Sequence, residues 1–155
     1  MRSLRVVRQA VPSDLDDIWR VRYAVQENTL TPGRLSDDDV LRAIGTTGRG
    51  WVCEVEGVVR GFAIGNGQNG NVWALFVEPG FQGRGIGSAL HEQMLAWFRA
   101  QPVERLWLTT GKETRARQFY ERAGWVLVGD AGEYEVRYER NNGASLFVPT
   151  ESPTL

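Results

Sequence analysis

Cysteine and histidine are almost absent from this chain, which contains one of each among 155 residues. A single cysteine, Cys53, cannot form an internal disulfide. With only His91 beside it, the sequence lacks the several thiolate and imidazole ligands of a usual zinc site, so we expect no metal. Cys53 lies in an apolar segment and is interpreted as a small buried hydrophobic residue. His91 is expected at the boundary of an apolar helix face.

The chain also lacks an excess of charge and a long apolar run. Its net charge is −1, so nothing indicates the basic surface that is typical of nucleic-acid binding. No stretch approaches the roughly 18 apolar residues of a membrane-spanning helix. The first residues alternate charged and apolar side chains and do not form the apolar centre of a signal peptide. We expect a cytoplasmic protein without a nucleic-acid or membrane partner.

Hydrophobic periodicity predicts one domain in residues 3–140 and a tail, 141–155, that is loose or docked. The predicted order is β-α-α-β-β-β-α-β-α-β-β, with hairpin turns at Glu56-Gly57 and Asn69-Gly70. An antiparallel meander followed by a β-α-β crossover indicates a mixed α+β fold, with a largely antiparallel central sheet of about seven strands flanked by four helices. The fourth strand, 71–77, is almost wholly apolar and is predicted at the centre of the sheet, covered on both faces.

Three predicted helices begin with the spacing of a capping box. In that motif a Ser or Thr side chain caps the helix, and an acidic residue three positions later bonds back to it. The pairs are Ser13 with Asp16, Ser36 with Asp39, and Thr110 with Glu113. Along the first helix, apolar residues recur at helical spacing, and Arg22 interrupts the apolar face.

A glycine-rich loop, residues 78–88, joins the fourth strand to the next helix. A strand, a glycine loop and a helix N-terminus favour phosphate binding, because backbone N–H groups and the helix dipole both attract an anion. The loop does not match a Walker motif, since no Lys and Ser or Thr follow Gly85. It does not match the dinucleotide fingerprint either, since Ser88 occupies the third glycine position.

Two motifs in the chain resemble those of the GNAT superfamily of N-acetyltransferases. The string Gln82-x-x-Gly85-x-Gly87, after an apolar strand that ends Val77-x-Pro79, resembles motif A of that family. Downstream, Ala116-x-x-Phe119-Tyr120-x-x-x-Gly124-Trp125 resembles its A-x-x-F-Y-x-x-x-G-F/W segment, and the order of elements matches over about residues 4–140. The resemblance implies a GNAT-like acyl-CoA N-acyltransferase fold, with acetyl-CoA or another short acyl-CoA as cosubstrate.

The resemblance also implies which residues bind the donor. Backbone N–H groups of the glycine loop would hold the CoA pyrophosphate, and main-chain groups of the fourth strand would hold the pantetheine amides. Arginine side chains would add charge-assisted contacts. The implied donor-binding residues are Leu75, Phe76, Val77, Gln82, Gly83, Arg84, Gly85, Ile86, Gly87, Ser88, Arg115, Arg117 and Phe119.

Acyl transfer from a thioester requires a proton for the departing thiolate, and Tyr120 matches the general-acid tyrosine of the family. A phenol with a pKa near ~10 remains protonated at neutral pH and can donate that proton. The general base stays open, because Asn71 stands where many relatives have Glu and an amide cannot act as a base. Glu27 and Glu78 are candidates, and deprotonation through water or arrival of a neutral amine are alternatives. Glu113 replaces an asparagine that is frequent in the family and is predicted to cap its helix.

The acceptor implied by the resemblance is a primary amine on a small molecule or a peptide, acetylated directly in a ternary complex. By analogy, Tyr23, Glu27, Asn28 and Arg34 are candidate acceptor contacts. An acyl-CoA-binding sensor or interaction module on the same fold is the alternative, and a nucleotide-binding βαβ protein is a weaker one. A homodimer is typical of the family, and residues 146–148 could take part in it.

Overall fold

The computed structural model describes residues 4–26 and 33–143 of the chain. Its elements are β1 Arg5–Gln9, a 3-10 turn Pro12–Asp14, α1 Leu15–Ala24, α2 Asp37–Gly45, β2 Gly48–Val55, β3 Val58–Asn66, β4 Val72–Val77, α3 Ile86–Phe98, β5 Arg105–Gly111, α4 Ala116–Arg122, β6 Val126–Asp130 and β7 Glu135–Asn141. Over these ranges, the predicted α+β fold of seven strands and four helices is confirmed. None of the described helices is long and apolar enough to cross a membrane.

The strands form two antiparallel sheets that meet between β4 and β5. One sheet has the order β1-β2-β3-β4 and the other has the order β5-β7-β6. A parallel bridge between Asn71 and Trp107 joins the two sheets at the start of β4. The backbone N–H of Trp107 also donates to the Gly70 carbonyl at 3.0 Å, and its indole N–H donates to the Asn69 carbonyl at 3.1 Å. Beyond this junction, β4 and β5 are not paired with each other within the described chain, and the sheet opens.

Helices cover both faces of the strands because successive side chains of a strand point to opposite sides. In β3, Ala63 packs in the cluster that contains residues of α3 and α4. Its neighbours Phe62 and Ile64 pack in the cluster that contains residues of α1 and α2. Burying a large apolar side chain stabilises the fold by about 1.5–3 kcal/mol, so the two clusters hold the four helices on the sheets.

One predicted capping box is confirmed at the start of α2. The Ser36 hydroxyl accepts a hydrogen bond from the Asp39 backbone at 3.2 Å, and the Asp39 carboxylate accepts one from the Ser36 backbone at 2.8 Å. The box predicted to begin at Ser13 is wrong. The chain enters α1 through the 3-10 turn, where Asp14 accepts a bond from the backbone three residues earlier and is held by the Arg8 guanidinium, both at 2.8 Å.

The capping box predicted at Thr110 and Glu113 is also wrong. Strand β5 continues through Gly111, so Thr110 is a strand residue. Its hydroxyl lies 3.2 Å from that of Thr114, which in turn donates to the Gly111 carbonyl at 3.1 Å. Helix α4 begins only at Ala116 and has no side-chain cap. The threonine pair therefore stabilises the turn between β5 and α4, and Glu113 is not a capping residue.

Strand β4 is not covered along its whole length, contrary to the prediction for it. Val72 and Ala74 are buried, whereas Leu75, Phe76 and Val77 are only partly buried. The reason is its place at the edge of its sheet, next to the opening. The apolar character of its second half therefore marks a surface that faces the opening rather than the sheet centre.

The packed chain continues two residues beyond position 140. Strand β7 ends at Asn141, and the side chain of Asn142 is buried behind it. The Asn142 amide donates to the carbonyls of Phe98 at 2.7 Å and Val103 at 2.9 Å. These bonds tie the end of the last strand to the end of α3. The predicted contact segment 146–148 lies outside the described residues.

Candidate active site

The opening between β4 and β5 leads into a cavity of about 520 Å³ that is reached from both faces of β4. Leu75 and Val77 pack against the α3 and α4 side, whereas Trp73 and Phe76 pack against the α1 and α2 side. Beyond the junction with β5, one edge of β4 has no described partner strand. Such an edge presents free main-chain donors and acceptors to whatever occupies the opening.

The glycine loop lies at one end of this cavity and has the backbone of an anion cradle. Gly80, Gly83 and Gly85 have φ values of 95°, 77° and 83°, a region that residues other than glycine rarely adopt. Helix α3 begins directly after Gly85. None of the backbone N–H groups of residues 82–88 donates to an acceptor in the described chain, and helical bonding begins with Ala89 to Gly85 at 3.0 Å. This row of unengaged donors at a helix N-terminus fits a phosphate group.

Most of the residues predicted to bind the donor line the cavity. They are Leu75, Phe76, Val77, Gln82, Gly83, Gly85, Gly87, Ser88, Arg115 and Phe119. Arg84 and Ile86 are not among the lining residues. The Arg84 guanidinium lies over the Phe81 ring, 4.8 Å from its centroid, and Ile86 is buried in the core.

Arg117 does not line the cavity because its side chain is engaged on the β7 side of α4. Its Nε donates to the Tyr138 hydroxyl at 3.0 Å, and its Nη1 donates to the Lys112 carbonyl at 3.1 Å. The Tyr138 hydroxyl in turn donates to the Glu121 carboxylate at 2.5 Å. This chain of bonds fastens α4 to β7 and gives Arg117 a structural contact.

Tyr120 lies on α4, and its side chain both packs in the core and lines the cavity. Its ring lies among Phe119, Trp125 and Tyr138, with centroid distances of 5.4, 5.8 and 6.4 Å. No hydrogen bond within the described ranges involves the Tyr120 hydroxyl. Burial raises the pKa of the phenol well above its usual value. The group therefore holds its proton throughout the neutral pH range.

His91 is buried, so the prediction of a boundary residue is wrong. Its Nε2 accepts a hydrogen bond from the Trp125 indole at 3.0 Å, which leaves the proton of the neutral imidazole on Nδ1. Burial lowers the pKa of His91 to about 4, and the ring meets Phe119 edge-on at 5.4 Å. Cys53 is buried, as predicted. No group of three or more potential metal ligands occurs among the residues that the structure describes.

Neither Asn71 nor Glu78 is suited to accept a proton from the cavity. The Asn71 amide donates to the carbonyls of Trp107 at 3.2 Å and Val72 at 3.4 Å, so it links the two sheets. The Glu78 carboxylate pairs with the guanidinium groups of Arg20 at 2.5 Å and Arg60 at 3.0 Å. Burial opposes its ionisation, but these two arginines lower the pKa of Glu78 below its usual value. Glu78 is also absent from the cavity lining.

The residues predicted to contact the acceptor do not line the cavity where they are described. Tyr23 is exposed and stacks on Trp19 with a centroid distance of 5.5 Å. Arg34 is exposed as well. Glu27 and Asn28 lie outside the described residues. On this side, Val25, Trp73 and Phe76 form the cavity wall.

Several lining residues were not predicted from the sequence. They are Val25, Trp73, Ala74, Phe81, Thr109, Thr110, Thr114, Ala116 and Arg122. Trp73 and Ala74 precede the part of β4 that was predicted to bind the donor, and Thr109 and Thr110 lie near the end of β5. The parallel direction of these two strands would have brought them to the same opening, but only a prediction of where the sheet divides could have identified them.

A divided sheet with an anion cradle and a buried tyrosine at the opening is the architecture expected of an acyl-CoA-dependent transferase. The family model described as "Acetyltransferase (GNAT) family" matches residues 13–125. The chain belongs to this family of acetyltransferases, whose acetyl donor is acetyl-CoA.

Individual relatives show the same fold in different settings. A curated mycothiol acetyltransferase from Beutenbergia cavernae is 40% identical over 68 residues, which cover 43% of this chain and 23% of the relative. The ribosomal-protein-S18-alanine N-acetyltransferase from Escherichia coli has a TM-score of 0.73 at 16% identity, over 90% of this chain and 94% of that one. The paia N-acetyltransferase from Thermoplasma acidophilum, in complex with coenzyme A, has a TM-score of 0.70 at 14% identity, over 89% and 99%. The first two names refer to different molecules, mycothiol and the alanine of ribosomal protein S18, so membership of the family leaves the acceptor open.

Proposed function

We propose that this protein transfers the acetyl group of acetyl-CoA directly to a primary amine of a small molecule or peptide in a ternary complex. The observation that carries the proposal is a single cavity that is reached from both faces of β4. The donor occupies the side with the glycine loop, and the amine approaches from the side of Val25 and Trp73. The two substrates then meet at the free edge of β4 without a covalent enzyme intermediate.

The donor site is built from the backbone donors of residues 82–88 and the unpaired edge of β4. The loop donors bind the pyrophosphate of CoA, and the strand edge bonds the amides of pantetheine as an added strand would. Arg115, which lines the cavity, adds positive charge near the phosphates. Acetyl-CoA supplies an activated acyl group as a thioester, and CoA leaves as a thiolate when the amine has attacked the carbonyl carbon and the C–S bond breaks.

Tyr120 is the general acid in this proposal. Its side chain lines the cavity, its hydroxyl has no hydrogen-bond partner in the described residues, and burial keeps it protonated. A thiolate with a reference pKa of about 8.5 is a weaker base than a phenolate of about 10. Proton transfer from Tyr120 to a free thiolate is therefore uphill, so Tyr120 stabilises the sulfur by a hydrogen bond as negative charge develops and gives up its proton as the C–S bond breaks. The phenolate recovers a proton from the positively charged nitrogen of the tetrahedral intermediate, which becomes the neutral amide, or from water.

The acceptor amine loses its proton without the help of Glu78 or Asn71. The first is paired with two arginines, and the second donates both described bonds of its amide to backbone carbonyls. A lysine-like amine with a pKa near ~10.4 is mostly protonated at pH 7. The amine therefore either loses its proton to water or binds in its neutral form. Because the neutral fraction of the amine grows with pH, the rate rises with pH below the pKa of the amine.

The test compares Tyr120→Phe with Tyr134→Phe, a matched change at an exposed tyrosine in the turn before β7. CoA release is followed with acetyl-CoA and a panel of amines and peptides. General-acid catalysis contributes about 10²–10⁴-fold, so we expect a loss of that size for Tyr120→Phe and none for Tyr134→Phe. Tight binding of acetyl-CoA without turnover on any amine would instead support the alternative, an acyl-CoA-binding sensor. The observation that favours this alternative is Asn71, an amide that cannot act as a base and is bonded to backbone carbonyls.

A further inference from the structure

Arg22 is an unpaired cation beside the acceptor side of the cavity. It lies on α1 and is only partly exposed. Its Nη1 is buried and has no hydrogen-bond partner among the described residues, and its guanidinium carbon lies 4.4 Å from the centroid of the Phe76 ring. Burial lowers the pKa of Arg22, as expected for a cation that has lost water without gaining an acid. An arginine nevertheless stays protonated in proteins, so this charge is present.

The other arginines near this position are paired. Arg20, two residues earlier on α1, bonds Glu78, and Arg60 bonds the same carboxylate. A buried charge without a partner is costly, and a ring contact offsets only part of that cost. An apolar residue at position 22 would continue the apolar face of α1 without this cost. The cation at position 22 therefore indicates a partner that the described residues do not supply.

The position of Arg22 restricts where that partner binds. Phe76 lines the cavity, and so does Val25, which follows Arg22 by about one helical turn. The guanidinium thus lies directly behind the wall that faces the acceptor, on the side of β4 opposite the glycine loop and Tyr120. Arg22 itself is not among the lining residues, so contact with a ligand in the cavity requires that its side chain pass the edge of the Phe76 ring.

Resting on the acetyl transfer proposed above, we infer that the acceptor is an amine that also carries a carboxylate, and that Arg22 binds this carboxylate. The fork of a guanidinium matches the two oxygens of a carboxylate. Behind the wall formed by Val25, Trp73 and Phe76, Arg22 supplies one positive charge, which neutralises the single negative charge of a carboxylate. A phosphate monoester carries about 1.5 to 2 negative charges at pH 7, so part of its charge would remain unpaired among Val25, Trp73 and Phe76.

The test measures CoA release with amines that differ only in the acid group. The pairs are glycine and glycinamide, β-alanine and β-alaninamide, and γ-aminobutyrate and its amide, so that the spacing between amine and acid varies. Ethanolamine and phosphoethanolamine form the phosphate arm. Replacing the acid by an amide also lowers the pKa of the amine, which changes the rate in every variant. We therefore take kcat/KM for the acid divided by kcat/KM for its amide, first in the wild type and then in Arg22→Gln. Dividing the first ratio by the second cancels the effect of the amine pKa.

We expect Arg22→Gln to lower the acid-to-amide ratio at least ten-fold for one of the three spacings, mainly through KM, and Arg22→Lys to retain part of the preference. The control, Arg105→Gln, removes an exposed arginine at the start of β5 and should keep the wild-type ratio. Equal losses for acid and amide in Arg22→Gln would overturn the inference. A preference for phosphoethanolamine that is lost in Arg22→Gln would overturn the choice of carboxylate.

A binding measurement separates this inference from the proposed function. With the protein saturated with CoA, the carboxylate compound should raise the melting temperature more than its amide, and Arg22→Gln should abolish the difference. Turnover of amines without any acid preference refutes the role of Arg22 alone. Absence of turnover on every amine refutes the proposed function, and in that case the melting-temperature difference still decides whether Arg22 binds a carboxylate.

Discussion

Two glycines of the loop motif, Gly85 and Gly87, should respond differently to replacement by alanine: the change at Gly85 should destabilise the fold, and the change at Gly87 should stabilise it. Gly85 has a φ of +83°, and an L-residue in that region costs about 1–2 kcal/mol. Gly87 lies in the first turn of α3 without such a φ, and an added Cβ would lie 3.7 Å from Val77 and 3.8 Å from Phe119, which are ordinary contacts. Alanine exceeds glycine in helix propensity by about 1 kcal/mol, and less than that applies at a helix start.

For a chain of this size, 1 kcal/mol shifts the melting temperature by about 2–4 °C. We therefore expect Gly85→Ala to melt roughly 2–8 °C lower than the wild type and Gly87→Ala to melt about 1–3 °C higher. Both residues line the cavity. A methyl group added at position 87 would lie next to Val77 and Phe119, where the proposed binding mode brings the donor close to the backbone. A lost charge-assisted hydrogen bond costs about 1.5–3 kcal/mol, so Gly87→Ala should bind CoA about 10–100-fold more weakly.

The assay is thermal unfolding of the free proteins together with calorimetric titration with CoA. Gly87→Ala is the informative variant because it is expected to gain stability while it loses affinity. A general structural defect would lower both quantities together. If Gly87→Ala melts below the wild type, or binds CoA with the same affinity, the assignment of Gly87 to a close backbone approach by the donor is refuted.

Two further predictions concern titratable groups. Burial lowers the pKa of folded His91 to about 4 from an ordinary 6.5. Its contribution to stability is therefore complete above pH 6.5 and is lost as the pH falls towards 4, by on the order of 3 kcal/mol in total. His91→Gln, which keeps an acceptor for Trp125, should flatten the melting temperature across this window, and an unchanged slope would show that other groups cause it. Glu78→Gln removes the partner of Arg20 and Arg60 and should destabilise the fold by about 1–3 kcal/mol while leaving the shape of the pH–rate profile unchanged. Loss of its acidic limb would identify Glu78 as a base after all.

The fold could be predicted from the sequence because its elements are encoded locally. Hairpin turns at Glu56-Gly57 and Asn69-Gly70 separate β2 from β3 and β3 from β4, and the Ser36 box marks the start of α2. The errors arose where a distant residue decided the outcome. Asp14 displaced the predicted cap of α1 because Arg8 of β1 holds its carboxylate. His91 is buried because Trp125, 34 residues later, offers its imidazole a hydrogen bond.

The division of the sheet could not be predicted from the sequence of β4. Its apolar composition is equally typical of a strand at a sheet centre and of one that faces an apolar ligand. The feature that separates the two cases is the Asn71–Trp107 junction, at which the amide of Asn71 donates to a carbonyl of β5. An amide at this position holds the sheets together at one end. Because β4 and β5 have no further pairing in the described chain, the same junction fixes where the cavity begins.

The two halves of the candidate site differ in how far their sequence predicts them. The proposed donor side is built from one nearly continuous segment, which comprises the end of β4, the glycine loop and the start of α3. The spacing of its glycines is therefore enough to predict the shape of the loop. The proposed acceptor side brings together the end of α1, which carries Arg22, and the face of β4 that packs against α1 and α2. These two segments are separated by about fifty residues and share no motif. In the sequence, Arg22 was only an interruption of an apolar face. It became informative because its Nη1 is buried without a partner among the described residues. If the proposed acetyl transfer holds, a buried charge without a partner in the described residues is the feature of the candidate site most directly tied to the identity of the acceptor.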